Sequence, residues 1–200
     1  MVGAETSVGT VGPTGTAAGR ETRRRILDAV LVTLRTEGVA GTSARTVARA
    51  GGFNQALVFY HYGSVAGALL AALDDLTERR LPAYRAALDP AAPADVVAAA
   101  VAALVAEDLR AGHLAAVAAL VDGSERSPAL KEGITPRLVP WLRLAEEAAV
   151  RLAPGRPSAD VAVAAVAAAL GAGLLARMGD GPGPEALAAM VTRLVTGPPG

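Results

Sequence analysis

The sequence predicts an all-α protein, with a small amino-terminal helical domain holding a helix-turn-helix and a larger helical domain behind it. Three observations predict this. Of the 200 residues, 52% are apolar, and alanine supplies much of that fraction; alanine is the strongest helix former. Aromatics are only 3%, and few segments show the β-branched and aromatic alternation of strands. Between Arg20 and Tyr62 the chain reads as three short helices, and the third carries polar and aromatic side chains where a core helix would carry leucines.

Composition narrows the function classes. There are no cysteines, which removes disulfides and thiolate metal sites and fits a reducing cytoplasm. The formal net charge is zero, but its distribution is uneven. From Arg20 to His61, seven arginines face Glu21, Asp28 and Glu37, a net of +4. Residues 81–200 carry ten basic and twelve acidic residues, a net of −2. A basic head on a slightly acidic body suits phosphate contact at one end only. Residues 1–19 have no basic n-region and no continuous apolar run, so they read as a disordered tail rather than a secretory signal. The expected organisation is a tail over 1–19, a basic helical domain over 20–80 and a larger helical domain over 81–200.

In the amino-terminal domain, Ile26, Leu27, Val30, Leu31 and Leu34 share one helical face. Arg23, Arg24 and Arg25 stand at the start of that helix, where positive charge opposes the helix dipole unless an anion is met. Gly38 suits a helix end. Thr42 or Ser43 suits the N-cap of the second helix, which turns Ala44, Val47 and Ala48 inward and Arg45 and Arg49 outward. Gly51 and Gly52 make the turn, and Asn54 can cap the third helix. Val58 and Tyr62, four apart, should pack on the first two helices. Gln55, Ala56, Leu57, Phe59, Tyr60 and His61 are then left on or near the outward surface. A glutamine can bond an adenine edge, and Ala or Leu can touch a thymine methyl. Tyr and His can reach phosphates.

This segment resembles the DNA-binding domain of the TetR family of bacterial transcriptional regulators. Thr42-Ser43-Ala44-Arg45-Thr46-Val47-Ala48 matches the family's second helix without gaps. Gly52-Phe53-Asn54 sits at the turn, and Val58-Phe59-Tyr60-His61-Tyr62 at the end of the recognition helix. The resemblance covers roughly residues 20–80. It implies that Arg24, Thr42, Ser43, Arg45, Asn54, Gln55, Ala56, Leu57, Phe59, Tyr60, His61 and Ser64 contact an operator duplex. Two positions depart from the family. Phe59 lacks the usual tyrosine hydroxyl, and Val65 stands where a lysine is common, although Ser64 can still cap that helix beside a phosphate.

The carboxy-terminal part reads as a linking helix over 64–81, broken at Pro82, and further helices at about 94–111, 113–122, 127–152, 158–178 and 184–196. Pro136 and Pro140 predict that the 127–152 segment is kinked or split. The apolar run from Val161 to Ala176 falls short of the roughly 20 residues a bilayer span needs, and it reads as a buried helix with no membrane role. No metalloprotease, nucleophile-elbow, P-loop or dinucleotide motif is present. The pairs Glu107-Asp108 and Glu146-Glu147 read as solvated faces. These observations predict no enzyme activity, cofactor or metal site. His113 and Trp141 are candidates for lining a ligand pocket. The resemblance implies a homodimer through the last two helices, with Ala162, Ala165, Ala169, Gly171 and Ala172 small enough for close approach.

The function expected from the sequence is therefore a cytoplasmic, sequence-specific DNA-binding regulator. It would act as a repressor released from its operator by a small, apolar ligand. The alternative is a helical dimer that binds a small molecule or a protein and has lost its DNA role.

Overall fold

The computed structural model describes residues 17–178 and 182–197. Among the described residues are nine α-helices and one short 3-10 turn, and no strand. The helices are α1 (Ala17–Gly41), α2 (Ala44–Gly51), α3 (Ala56–Tyr62), α4 (Val65–Ala87), α5 (Ala94–Ala111), α6 (His113–Gly123), α7 (Pro128–Leu152), α8 (Ser158–Met178) and α9 (Pro184–Thr196). The turn Ser124–Arg126 joins α6 to α7.

The apolar periodicity of α1 places Ile26, Val30 and Leu34 in the core at no more than 1% exposure. The helix breaks at Gly38, whose φ is 67°, as the sequence suggests. Ser43 caps α2 by a reciprocal exchange with Thr46: its hydroxyl accepts from the Thr46 amide, and the Thr46 hydroxyl accepts from the Ser43 amide. Val47 of α2 and Val58 of α3 are both fully buried. They join Leu69 and Leu73 of α4, Ala116 and Leu120 of α6, and Leu130 and Ile134 of α7 in one continuous core. A second core gathers Leu81 and Tyr84 of α4, Val105 and Leu109 of α5, Leu144 of α7, Ala172 of α8, and Leu187 and Val191 of α9.

Several sequence expectations change. Of the expected tail, residues 1–16 lie outside the described residues, and Ala17, Ala18 and Gly19 already belong to α1. Arg23, Arg24 and Arg25 therefore sit in the second and third turns, away from the unpaired amides that carry the positive end of the dipole. The 80/81 boundary falls inside α4, which runs unbroken through Pro82 to Ala87. Pro82 and Glu78 are both exposed, so the carbonyl that loses its helical amide partner faces water, while buried Leu81 and Tyr84 hold both sides. In the same way α7 continues through Pro136 and Pro140; an ion pair from Arg137 to Asp74 at 2.8 Å and a bond from Trp141 Nε1 to Thr77 Oγ1 at 3.0 Å dock it along α4. The segment Ser158–Ala176 is long and apolar enough to cross a membrane by length and composition. It is not the buried helix expected: one face packs on α6, α7 and α9, while Val163, Leu174, Leu175 and Met178 on the other are exposed.

Truncating Ile26 to alanine removes a fully buried side chain where the head and body share a core. It should cost about 2–5 kcal/mol. Val150→Ala, at an exposed site, should stay within about 0.5 kcal/mol. Urea unfolding of the two variants checks both values.

Candidate nucleic-acid interface and ligand cavity

The α2–α3 unit is held by backbone geometry as much as by its core. Gly52 adopts a left-handed conformation (φ 66°) and closes α2, its amide donating to Ala48 O. Arg25 donates to Gly51 O at 2.8 Å and reaches Gly52 O at 3.3 Å, so this arginine seats the turn. The Asn54 side chain accepts from the Ala56 amide at 2.9 Å and starts α3. At the far end of α3, the Tyr62 hydroxyl donates to Arg23 O at 3.0 Å, and the Arg23 guanidinium lies over the Tyr62 ring. Two of the three clustered arginines thus brace the fold.

What remains outward is a compact surface. Phe59 and Tyr60 are 50% and 58% exposed. Asn54, Gln55 and Ala56 are exposed beside them, and Arg45, Arg49, Phe53 and Gln55 edge one shallow groove between α2 and α3. Arg24 and Arg45 are exposed and form no ion pair among the described residues, whereas Arg49 pairs with Glu37 at 3.0 Å. Ser43 is exposed but committed to its cap, and Ser64 caps α4 by accepting from the Gly67 amide at 2.9 Å. Two expected contacts are not on this surface. Thr42 is buried and its hydroxyl donates to Gly38 O at 2.6 Å. Leu57 is half-buried and packs on the core. His61 is also half-buried, edge-on to Tyr60, with its Nδ1 buried and unpartnered.

A cavity opens in the helical body between α4, α5, α6, α7, α8 and α9. Both His113 and Trp141 line it. Apart from Trp141 and Thr192 its walls are aliphatic except at one corner, where Asp108 is buried at 3% exposure. The Asp108 carboxylate accepts from the Tyr84 hydroxyl at 2.7 Å, pairs with Arg80 Nε at 2.7 Å and accepts from His113 Nδ1 at 2.8 Å. Arg80 also donates to Glu107 at 3.1 Å. Burial, reinforced by the Asp108 charge, pushes the Tyr84 phenol far above the usual tyrosine range, so its proton stays available to the carboxylate.

No protein-family model and no curated protein sequence matches the chain. Solved structures do. The fatty acid degradation regulator FadR from Bacillus halodurans superposes with a TM-score of 0.72 at 16% identity, over 88% of this chain and 95% of that one. The TetR-family transcriptional regulator SCO4454 from Streptomyces coelicolor gives 0.66 at 17% identity, over 89% and 94%. A TetR transcription regulator from Haloarcula marismortui gives 0.67 at 16% identity, over 88% and 95%. The fold is that of the TetR-family regulators.

Within this TetR fold, of the small residues expected at a dimer face, only Gly171 stands toward the open side of α8. Ala162 and Ala172 are buried inside the subunit, and Ala165 and Ala169 line the cavity. Gly171 is half-buried with open space where a side chain would stand. The outward stripe of α8 is Val163, Leu174, Leu175 and Met178, joined by Met190 and Leu194 of α9. Smallness alone did not identify the face, because alanine fits either side of so apolar a helix. The expectation that Asp108 is solvated is also overturned. Its partners come from α4 and α6, and only the single apolar flank Leu104-Val105-Ala106 hinted at burial.

The state of His61 is open to a direct check. Burial, and then the positive charge of Arg23, push its imidazole below the usual histidine range. The unfolded chain therefore takes up this proton first as pH falls, and folded stability declines below about pH 6.5. Chemical unfolding between about pH 7.5 and about pH 5 should show a smaller decline for His61→Gln than for the unaltered chain.

Proposed function

We propose that this chain is a sequence-specific DNA-binding transcriptional regulator, a homodimer that acts as a repressor and releases its operator when a small apolar molecule enters the body. The observation that carries this is the bare α3 surface. Phe59 and Tyr60 are large, exposed and consecutive, beside Asn54, Gln55 and Arg45, on a helix fixed by a glycine turn. An exposed apolar and aromatic patch of this kind needs a covering partner, and a helix-turn-helix offers its second helix to the major groove. Gln55 and Ala56 supply base-edge chemistry, while Arg24, Arg45, Tyr60 and the capped start of α4 supply phosphate contacts. Burial and Arg23 favour the neutral form of His61 in the free chain, so its hydrogen-bonding nitrogen rather than a fixed charge is what it offers.

The helical body is suited to control the head. Arg35 of α1 donates to Ala111 O at 3.0 Å, next to Gly112 and His113. Gly112 sits at φ 76°, and a side chain there would come within 2.3 Å of the Arg35 stem. Occupying the cavity can therefore press on α1 through this turn, and on α3 through α4. Such control needs tighter ligand binding by the non-operator state.

A second function keeps the dimer and the ligand but loses DNA, favoured by Phe59 and Val65, where the TetR pattern has a tyrosine and a lysine. Fluorescence anisotropy with duplex from upstream of the protein's own gene separates the two. The regulator should bind in a salt-sensitive, sequence-selective way, and Arg45→Ala should weaken it roughly tenfold and lower the salt slope by about 1. Absence of binding even to random duplex at low salt leaves the second function. Replacing Leu174 and Leu175 with aspartate should convert a two-chain particle into one chain by sedimentation, since the α8 stripe would carry charge into the interface.

A further inference from the structure

We propose that the cavity is built for an uncharged, lipophilic molecule with one hydroxyl, an alcohol or phenol of about ten to fifteen heavy atoms, held at Nε2 of His113. This rests on the regulator function proposed above and names the ligand class of that same site.

The argument is one of commitments at the polar corner. Arg80 is the cation there, and it is already engaged, with Nε against Asp108 and Nη2 on Glu107. One positive and two negative charges meet, so an entering carboxylate finds no spare cation and two like charges. The Tyr84 hydroxyl is spent on Asp108. Thr192, also at the wall, donates its hydroxyl to Ala188 O at 2.9 Å. His113 keeps an unused polar atom that carries no fixed charge. A carboxylate only accepts, so Nδ1 is the donor to Asp108, and Nε2 has no protein partner among the described residues while the ring lines the cavity. A hydroxyl satisfies Nε2 in either state of the ring, donating to it when neutral and accepting from it when protonated. An ester or ketone can only accept. Everything else on the walls is hydrocarbon or aromatic, which rewards an apolar body. The volume open to water centres is about 160 Å³, room for roughly ten to fifteen waters, which sets the size.

The sole tryptophan, Trp141, stands on the cavity wall with its indole proton bonded to Thr77, so its fluorescence reports occupancy in the full chain. Decanol, methyl decanoate and decanoate are titrated at about pH 7.5, where the acid is ionised. Decanol should bind saturably and about tenfold tighter than either of the others. His113→Phe keeps a ring and leaves Asp108 with Arg80 and Tyr84; it should weaken decanol about tenfold and change methyl decanoate less than about twofold. Ala169→Leu narrows the opposite wall with the polar corner intact and should weaken all three. The ranking in the unaltered chain needs no variant. Decanoate binding as tightly as decanol overturns the proposal, as does unchanged decanol affinity in a His113→Phe chain whose melting curve is normal. Duplex anisotropy run alongside keeps the two claims apart. Alcohol binding with no effect on duplex affinity upholds the ligand class and removes ligand control. Duplex binding with no alcohol binding removes the ligand class and leaves the regulator.

Discussion

Ile26, Val30 and Leu34 pack into a core that also contains residues of α2 and α3, of α4 and of the body helices α6 and α7. The head and the body are thus two functional regions on one hydrophobic foundation. Close-packed interiors deform little, so the head cannot turn without a matching shift in the body. In the function proposed above, that constraint is what would let a ligand in the body act on the surface of the head. It also explains why α4 must be long. The helix starts beside α3, supplies Leu69 and Leu73 to the first core, and ends among the partners of the second.

The polar corner of the cavity runs against the apolar character of its surroundings. A carboxylate at 3% exposure is costly unless its acceptors are satisfied. Asp108 meets that condition with three partners drawn from α4 and α6. Such a set fixes the relative rotation of three helices more narrowly than leucine contacts do, because hydrogen bonds and close ion pairs tolerate less displacement. It also leaves the Nε2 ring nitrogen of His113 without a protein partner among the described residues, at the wall of a pocket that is otherwise mostly apolar.

The outer face of α8 shows how one composition serves two demands. The helix meets the length and hydropathy of a membrane span because both of its faces are apolar, one toward α6, α7 and α9 and the other outward with Met190 and Leu194 of α9. A helix that is apolar all round needs cover on every side. In the dimer proposed above, a second copy of the same surface would supply that cover in a two-fold arrangement and would set the two proposed DNA-binding heads at a fixed spacing.

The sequence by itself determined the helices and the head. Periodicity in α1, the Ser43 cap, the Gly52 turn and the Val58–Tyr62 pair are local features, and local spacing suffices to read them. The same spacing brought Phe59 and Tyr60 to the surface and Val58 to the core. Only the tertiary structure decided which features cross between helices. Whether Arg23 and Arg25 face DNA or brace Tyr62 and the glycine turn depends on where α3 lands. Whether Pro82 ends α4 depends on which side meets water. Whether Asp108 is solvated depends on Arg80, Tyr84 and His113 arriving from other helices, and which alanines of α8 face outward depends on the packing of α9. Each of these is a contact between residues far apart in the chain, and no periodicity within a single helix encodes it.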